Sequence, residues 1–212
     1  MSLEINHLFK FDQDYDNPVA GVDEVGRGCL AGPVVAAAVI LKDFDNNEIN
    51  DSKKIPKKKR EELSSYIKQN SIYSIGEASV EEIDKLNILN ASLLAMKRAI
   101  KNLSSQPMSI LVDGNFKPIN EANVFSIVKG DTKSISIAAA SIVAKVYRDK
   151  LMAKFSKIHP EYKFENNSGY GTKEHQNALL KFGVSPIHRR SFKPIHYICL
   201  LYTSDAADDR IG

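Results

Sequence analysis

An unbroken apolar run, VVAAAVIL at residues 34–41, constrains the fold of this chain more than any other segment. Eight residues suit the length of a strand. A run without alternation between apolar and polar positions is typical of a strand covered on both faces. The sequence therefore predicts a sheet in which residues 34–41 form a central, buried strand.

The rest of the chain supplies neighbours for that strand. Ser79 and Glu82 have the spacing of a capping box, which predicts the start of a helix, and Gly183 is a typical helix stop. Further strands are predicted at residues 18–24, 71–78, 108–113 and 123–128, and helices from near Pro56, from Ser79, over 134–158 and over 173–182. This order of strands and helices indicates a mixed α/β sheet.

Composition sets the broad class of the protein. A chain of 212 residues suits one domain, and 43% apolar residues are enough for a core. The net charge of +3 permits a nucleic-acid partner without requiring one. Two distant cysteines, Cys29 and Cys199, are interpreted as free thiols of a reducing compartment. Without a signal pattern or a membrane-length apolar segment, the prediction is a cytoplasmic protein that does not contact membranes.

Four acidic residues stand beside glycines at the ends of predicted strands: Asp23, Glu24, Asp113 and Asp131. If they converge, each pair ~5 Å apart repels by ~3 kcal/mol at an effective dielectric of ~20, so cations are needed. Carboxylate oxygens select Mg²⁺ or Mn²⁺, and two such ions can promote phosphodiester hydrolysis. Each acid taken singly is more typical of a solvated turn, so spacing alone leaves both interpretations open.

Six ordered blocks decide between these interpretations. They are GVDEVGRGCLAGPVVAAAVIL (21–41), NDSKKIPKKKRE (50–61), LVDGN (111–115), VKGDTKSISIAAASIVAKVYRD (128–149), SGYGTKEH (168–175) and HRRSFKPI (188–195). Together they resemble the type II ribonuclease H family, in its bacterial form, over residues 19–195.

The resemblance implies a ribonuclease H-like fold, a five-stranded mixed sheet flanked by helices with a small helical C-terminal extension. It implies a catalytic domain over 1–160 and an extension over 161–201, while residues 202–212 change in composition and are predicted to be a disordered or non-native tail. The expected enzyme is a monomeric endonuclease. It would cut the RNA strand of RNA–DNA hybrids and single ribonucleotides in duplex DNA, as in ribonucleotide excision and DNA replication.

The resemblance also assigns roles to residues. Asp23, Glu24, Asp113 and Asp131 match the catalytic carboxylates, which would hold two Mn²⁺ or Mg²⁺ ions and leave 5′-phosphate and 3′-hydroxyl ends. Gly26, Arg27 and Gly28 match the tripeptide that reads the ribose 2′-hydroxyl through its backbone. Tyr170 matches the tyrosine that packs on the sugar at the RNA–DNA junction, and Ser52 and Lys53 resemble phosphate-contacting residues.

Some positions depart from the family or stay open. Asn167-Ser168 replaces a frequent His-Lys pair, and Gly171 stands where proline is usual. Arg189 and Arg190 are candidates for phosphate contacts. His175 and His188 lack partners at the spacing of a zinc site.

Two other classes of protein remain as alternatives. A DNA junction resolvase of the same broad fold also uses a carboxylate cluster, but it needs no reader of the 2′-hydroxyl. A nucleic-acid-binding module without catalysis has no reason to gather acids where phosphate must lie.

Overall fold

The computed structural model of the protein describes residues 7–42, 49 and 55–198. Within these residues the strands are β1 (Val19–Val25), β2 (Val34–Leu41), β3 (Ser71–Ala78), β4 (Ser109–Asp113) and β5 (Val124–Ile127). The helices are α1 (His7–Asp12), α2 (Lys57–Gln69), α3 (Val80–Lys101), α4 (Ile135–Ile158), α5 (Phe164–Asn167) and α6 (Lys173–Phe182). Short 3-10 turns lie at Gly130–Thr132 and Pro160–Tyr162, and residues 193–198 are also helical.

The five strands form one mixed sheet in the order β3-β2-β1-β4-β5. β1 pairs antiparallel with β2, whereas β1 with β4 and β4 with β5 are parallel pairs. β2 has neighbours on both sides, and all of its residues except the last are buried. The predicted central strand and the predicted fold class are confirmed.

The first turn of α4 lies directly against β1. A Cβ added to Gly21 would fall 2.0 Å from the carbonyl carbon of Ser136, so only glycine permits this approach. The alanine-rich start of α4 continues the contact, since Ala138 and Ala139 share a core cluster with Ala37 and Val39 of β2. Small residues thus bring helix and sheet backbones close together behind the carboxyl end of β1.

The chain divides into two compact units. The first unit comprises the described parts of Met1–Val25, Val35–Glu77 and Ser92–Tyr147. It includes the four predicted catalytic carboxylates. The second unit comprises the described parts of Gly26–Val34, Ala78–Ala91 and Arg148–Gly212. The second unit has its own core, which includes Leu30, Met152 and Leu179. This division does not follow the predicted one at residue 160, and the predicted domain bounds stay a prediction.

Local signals explain most element ends. In the capping box, the Ser79 N–H donates to Glu82 Oε2 at 2.9 Å and the Glu82 N–H donates to Ser79 Oγ at 3.2 Å. Gly183 ends α6 with a φ of 76°. Asn87, with a φ of 67°, interrupts α3, and its side chain accepts from the Asn90 N–H as a new N-cap. That interruption and the short helices α1 and α5 were not predicted.

No helix in the described part of the chain is long and apolar enough to cross a bilayer.

Candidate active site

Three of the predicted acids lie at the carboxyl end of the sheet in the first unit. Val22 of β1 is the register partner of Val112 in the parallel strand β4, so the next residues, Asp23 and Asp113, stand side by side. Asp131 follows in the turn Gly130–Thr132. The Gly130 N–H donates to Asp113 Oδ1 at 2.6 Å and so ties that turn to the end of β4.

Glu24 differs from the other three acids in its backbone setting. β1 does not end at Asp23 but stays paired with β2 through Val25. Successive side chains of a regular strand leave on opposite faces. The Asp23 carboxylate turns back to accept the Glu24 N–H at 2.7 Å. A metal-binding role for Glu24 beside Asp23 therefore stays a prediction.

The strand ends concentrate negative charge in a buried place. Asp23 is only 6% exposed. Burial raises its pKa well above the usual range, and the nearby carboxylates of Glu24 and Asp113 raise it further, whereas Ser141 hydrogen-bonds the charged form and opposes the shift. Clustered, buried carboxylates with a perturbed pKa are typical of a functional site.

The donor chemistry of this edge fits a hard divalent cation. The ligand atoms on offer are carboxylate oxygens, which Mg²⁺ and Mn²⁺ prefer, and Asp131 is buried like Asp23. Among the described residues, however, no three His, Cys, Asp or Glu side chains already form a group that could hold one ion. The structure brings the acids to one edge, and the joint ligand set stays a prediction.

In the second unit, the β1–β2 loop (residues 26–33) is held from behind by Arg189. This side chain is fully buried, and its guanidinium donates to the carbonyls of Gly26 (2.7 Å), Arg27 (3.0 Å) and Gly32 (2.9 Å). Burial lowers the pKa of Arg189 to about 10. The expectation that Arg189 contacts phosphate is wrong, because its donors are engaged inside the protein.

Arg148 of α4 holds the same loop at a second place. It is also fully buried and donates to the carbonyls of Ala31 (3.0 Å), Pro33 (3.0 Å) and Ser168 (2.8 Å). The contact with Ser168 joins the β1–β2 loop to the α5–α6 loop (residues 168–172). Sequence reasoning missed this role, and the only signal for it was an arginine among the apolar residues of a long helix.

The glycines of the tripeptide Gly26-Arg27-Gly28 have different structural reasons. Gly26 has a φ of +96°, and a Cβ there would lie 2.2 Å from Arg148 Nε, so the fold itself requires glycine. Gly28 is exposed, and a Cβ there would meet nothing within 4 Å. The fold therefore gives no reason for glycine at position 28, whereas close approach by a ligand would.

Tyr170 lies beside this tripeptide. It forms an isolated bridge with Cys29, and the Leu30 N–H donates to the Gly169 carbonyl at 2.8 Å. The Tyr170 side chain remains 40% exposed. The structure thus places an accessible ring next to the exposed backbone of the predicted 2′-hydroxyl reader.

The departures at Asn167 and Ser168 have structural uses. The buried Asn167 amide donates to the Tyr162 carbonyl at 2.7 Å and accepts from the Gly169 N–H at 2.8 Å. The Ser168 hydroxyl donates to Asp149 at 3.2 Å. These contacts shape the α5–α6 loop. Two other predicted contacts, Ser52 and Lys53, lie outside the described residues.

Comparison with known proteins decides the family. The family model for ribonuclease HII matches residues 20–195. The chain belongs to the ribonuclease HII family. The ribonuclease HII of Pelagibacter ubique is 55% identical over 179 residues, which cover 84% of this chain and 96% of that protein. The ribonuclease HII of Fusobacterium nucleatum is 54% identical over 196 residues, covering 88% and 90%.

Solved structures agree with this membership. The ribonuclease H2 of Pyrococcus horikoshii matches with a TM-score of 0.71 and 28% identity, over 85% of this chain and 96% of that one. A Bst ribonuclease HIII solved with Mn²⁺ matches with a TM-score of 0.65 over 86% and 69%. Its 16% identity supports the fold alone.

Membership in the ribonuclease HII family confirms the predicted class of enzyme. The protein is a ribonuclease H-type endonuclease that acts on nucleic acid, and this family depends on divalent metal ions. The two alternatives, a junction resolvase and a binding module without catalysis, are not supported.

Proposed function

We propose that this ribonuclease HII cuts the RNA strand of RNA–DNA hybrids and also cuts duplex DNA at a single embedded ribonucleotide, leaving 5′-phosphate and 3′-hydroxyl ends. The proposal is supported by the edge of the sheet where Asp113 lies beside Asp23 and is hydrogen-bonded to the turn that carries Asp131, in a chain whose family performs this class of hydrolysis. We expect the enzyme to act as a monomer in the cytoplasm.

The carboxylates of this edge would hold the metal. Asp113 ends β4 beside Asp23 of the neighbouring parallel strand β1, Asp131 follows in the attached turn, and Glu24 would complete the set. Two Mn²⁺ or Mg²⁺ ions held there would supply an activated water and stabilise the departing 3′ oxygen. The hydrogen bond from the Gly130 N–H fixes one oxygen of Asp113, so that side chain is oriented before substrate arrives.

The selection of RNA over DNA would lie in the β1–β2 loop. Buried guanidinium groups engage five of its carbonyls, including the two before Gly28, and this fixes the peptide planes. A fixed, exposed backbone at Gly28 can approach a ribose closely, because no side chain stands in the way. One 2′-hydroxyl would then be enough for recognition.

Ser52 and Lys53 are proposed to contact phosphate.

Tyr170 would read the sugar on the DNA side of the junction. Its ring is accessible, and its main chain adjoins the loop that carries the tripeptide. An apolar ring face suits a sugar that lacks a hydroxyl. Together, Gly28 and Tyr170 would recognise a junction rather than a length of hybrid.

A pair of glycine variants tests the reader. Gly28→Ala should leave the melting temperature unchanged or slightly higher, because alanine restricts the unfolded chain. Cleavage of both ribonucleotide substrates should nevertheless fall by about tenfold or more, as expected when a close contact of ~1.4 kcal/mol is lost. Gly26→Ala is the matched control and should lower the melting temperature as well. Full activity of a folded Gly28→Ala enzyme would show that the tripeptide does not read the ribose.

Asp113→Asn tests the carboxylate edge. The amide keeps the shape and the acceptor for the Gly130 N–H, so the fold should persist while cleavage is nearly abolished. Cleavage at the wild-type rate with ordinary metal concentrations would contradict the assignment.

A further inference from the structure

Two buried histidines face each other beneath the α5–α6 loop. His175 of α6 is 0% exposed and His188 is 1% exposed, and their Nε2 atoms are 2.9 Å apart. Aromatic rings enclose the pair: Phe164 packs edge-on against His175, and Tyr162 packs edge-on against His188. The proposed chemistry of the enzyme does not use either histidine.

The hydrogen bonds fix the protonation of both rings. A backbone N–H can only donate, so the Ser185 N–H at 2.9 Å makes His188 Nδ1 an acceptor and places the His188 proton on Nε2. His188 Nε2–H then donates to His175 Nε2, which must be unprotonated. The His175 proton is therefore on Nδ1, which donates to the Tyr170 carbonyl at 2.9 Å.

We propose that His175 and His188 are positioning residues, which as a neutral pair hold the main chain at Tyr170 and so set where its ring meets the substrate. This inference rests on the proposed junction-reading role of Tyr170. The chain of hydrogen bonds runs in one direction, from the Ser185 amide through both rings to the Tyr170 carbonyl.

The surroundings of Tyr170 show what the pair adds. Its N–H donates to the Asn167 carbonyl at 2.9 Å, and its own carbonyl also accepts from the Thr172 N–H at 2.8 Å. His175 supplies the second donor to that carbonyl, so both lone pairs of the oxygen are engaged. The peptide plane after Tyr170 cannot rotate without breaking two hydrogen bonds, while the ring stays accessible.

The electrostatic setting keeps the pair neutral. Burial lowers the pKa of His175, opposed by the hydrogen bond to Tyr170. Burial lowers the pKa of His188 to about 3, with smaller effects of the same sign from His175 and His159. A proton added to either ring would set two N–H groups against each other at 2.9 Å. A metal ion between the rings is disfavoured, since the two nitrogens bond each other and the described residues offer no group of three ligands.

Two substitutions of one histidine separate positioning from packing. In His175→Asn the amide nitrogen replaces Nδ1, which keeps the donor to Tyr170 and loses the link to His188. In His175→Gln the amide reaches the place of Nε2, which keeps the link and loses the donor. Both change the packing of the same buried site, so each serves as the control for the other.

The measurement is the ratio of kcat/KM on a single-ribonucleotide duplex to kcat/KM on a long RNA–DNA hybrid. His175→Gln should lower this ratio by about fivefold, the effect of one ordinary hydrogen bond, in the same direction as Tyr170→Ala. His175→Asn should keep the ratio within about twofold of wild type, although both variants melt at lower temperature. Equal ratios in the two variants would overturn the proposal.

Long-range ¹H–¹⁵N spectra of the wild-type protein test the pair without activity. At neutral pH we expect the Nδ1–H tautomer for His175 and the Nε2–H tautomer for His188. The opposite tautomers, or a charged ring, would overturn the proposal even if Tyr170 reads the junction. If Tyr170→Ala leaves the ratio unchanged while the tautomers are as stated, the junction-reading role fails and the positioning of the main chain stands.

Discussion

Replacing Asp23 by Asn should stabilise the metal-free enzyme while it abolishes cleavage. Neighbouring strands lie ~4.8 Å apart, so carboxylates at adjacent strand ends repel by ~3 kcal/mol at an effective dielectric of ~20. Asp23 is buried beside Glu24 and Asp113, and its pKa is raised for that reason. The Asn side chain still accepts from the Glu24 N–H, so only the charge is lost. We expect the unfolding free energy to rise by about 1–3 kcal/mol.

The assay is urea unfolding with a chelator present, at neutral pH and again below pH 4. A raised pKa means that the charged form costs stability, so the gain should be present at neutral pH and vanish where Asp23 is protonated in both folded and unfolded chains. Added Mn²⁺ should stabilise the wild type more than the variant. The exposed Asp16 gives a matched control, because Asp16→Asn should change stability by less than about 0.5 kcal/mol. A destabilised Asp23→Asn variant in chelator would refute the repulsion argument.

Three further predictions concern the second unit. Tyr170→Ala should strongly slow cleavage at a single embedded ribonucleotide. It should slow cleavage of a long hybrid less, because the enzyme can bind the hybrid in many registers. Equal slowing of both substrates in parallel rate assays would show that the ring only packs. Arg189→Gln should lower the unfolding free energy by several kcal/mol, because buried carbonyls of the β1–β2 loop lose donors at ~1–3 kcal/mol each; a denaturation curve like that of the wild type would contradict this. The pKa of His188 falls from 6.5 to about 3 on folding, so only the unfolded chain takes up this proton, and stability should decline below pH 6.5 by up to about 1.4 kcal/mol per pH unit. The raised pKa of Asp23 contributes the opposite slope, so the measurement is the profile relative to a His188→Asn variant. A wild-type profile from pH 7 to pH 5 with the same slope as the variant would show that His188 is not buried in its neutral form.

Much of the sheet could be predicted because its signals are local. The apolar run of β2, the capping box at Ser79 and the stop at Gly183 each depend on a few adjacent residues. The interruption of α3 at Asn87 could not be predicted, because a single asparagine with positive φ leaves no periodic pattern in the sequence. The short helices α1 and α5 have too few turns to show one.

The candidate site divides in the same way. The acids at positions 23, 113 and 131 could be predicted because each stands in a glycine-containing segment near the end of a predicted strand. The roles of the buried arginines and of the histidine pair could not be predicted from the sequence, because their partners are backbone carbonyls or residues far along the chain. Charged and titratable side chains are ordinarily surface residues, so the sequence predicted that Arg189 contacts phosphate. In the structure, six hydrogen bonds to carbonyls offset the cost of burying the Arg148 and Arg189 guanidinium groups.

The most direct test of the proposed function is cleavage of a DNA duplex that carries one ribonucleotide, with Mn²⁺ or Mg²⁺ and with chelator, beside an all-DNA duplex of the same sequence. We expect one metal-dependent cut on the 5′ side of the ribonucleotide, with a 3′-hydroxyl on one fragment and a 5′-phosphate on the other. The all-DNA duplex should stay intact. Cutting of the all-DNA duplex, or cutting that continues in chelator, would contradict the proposed function.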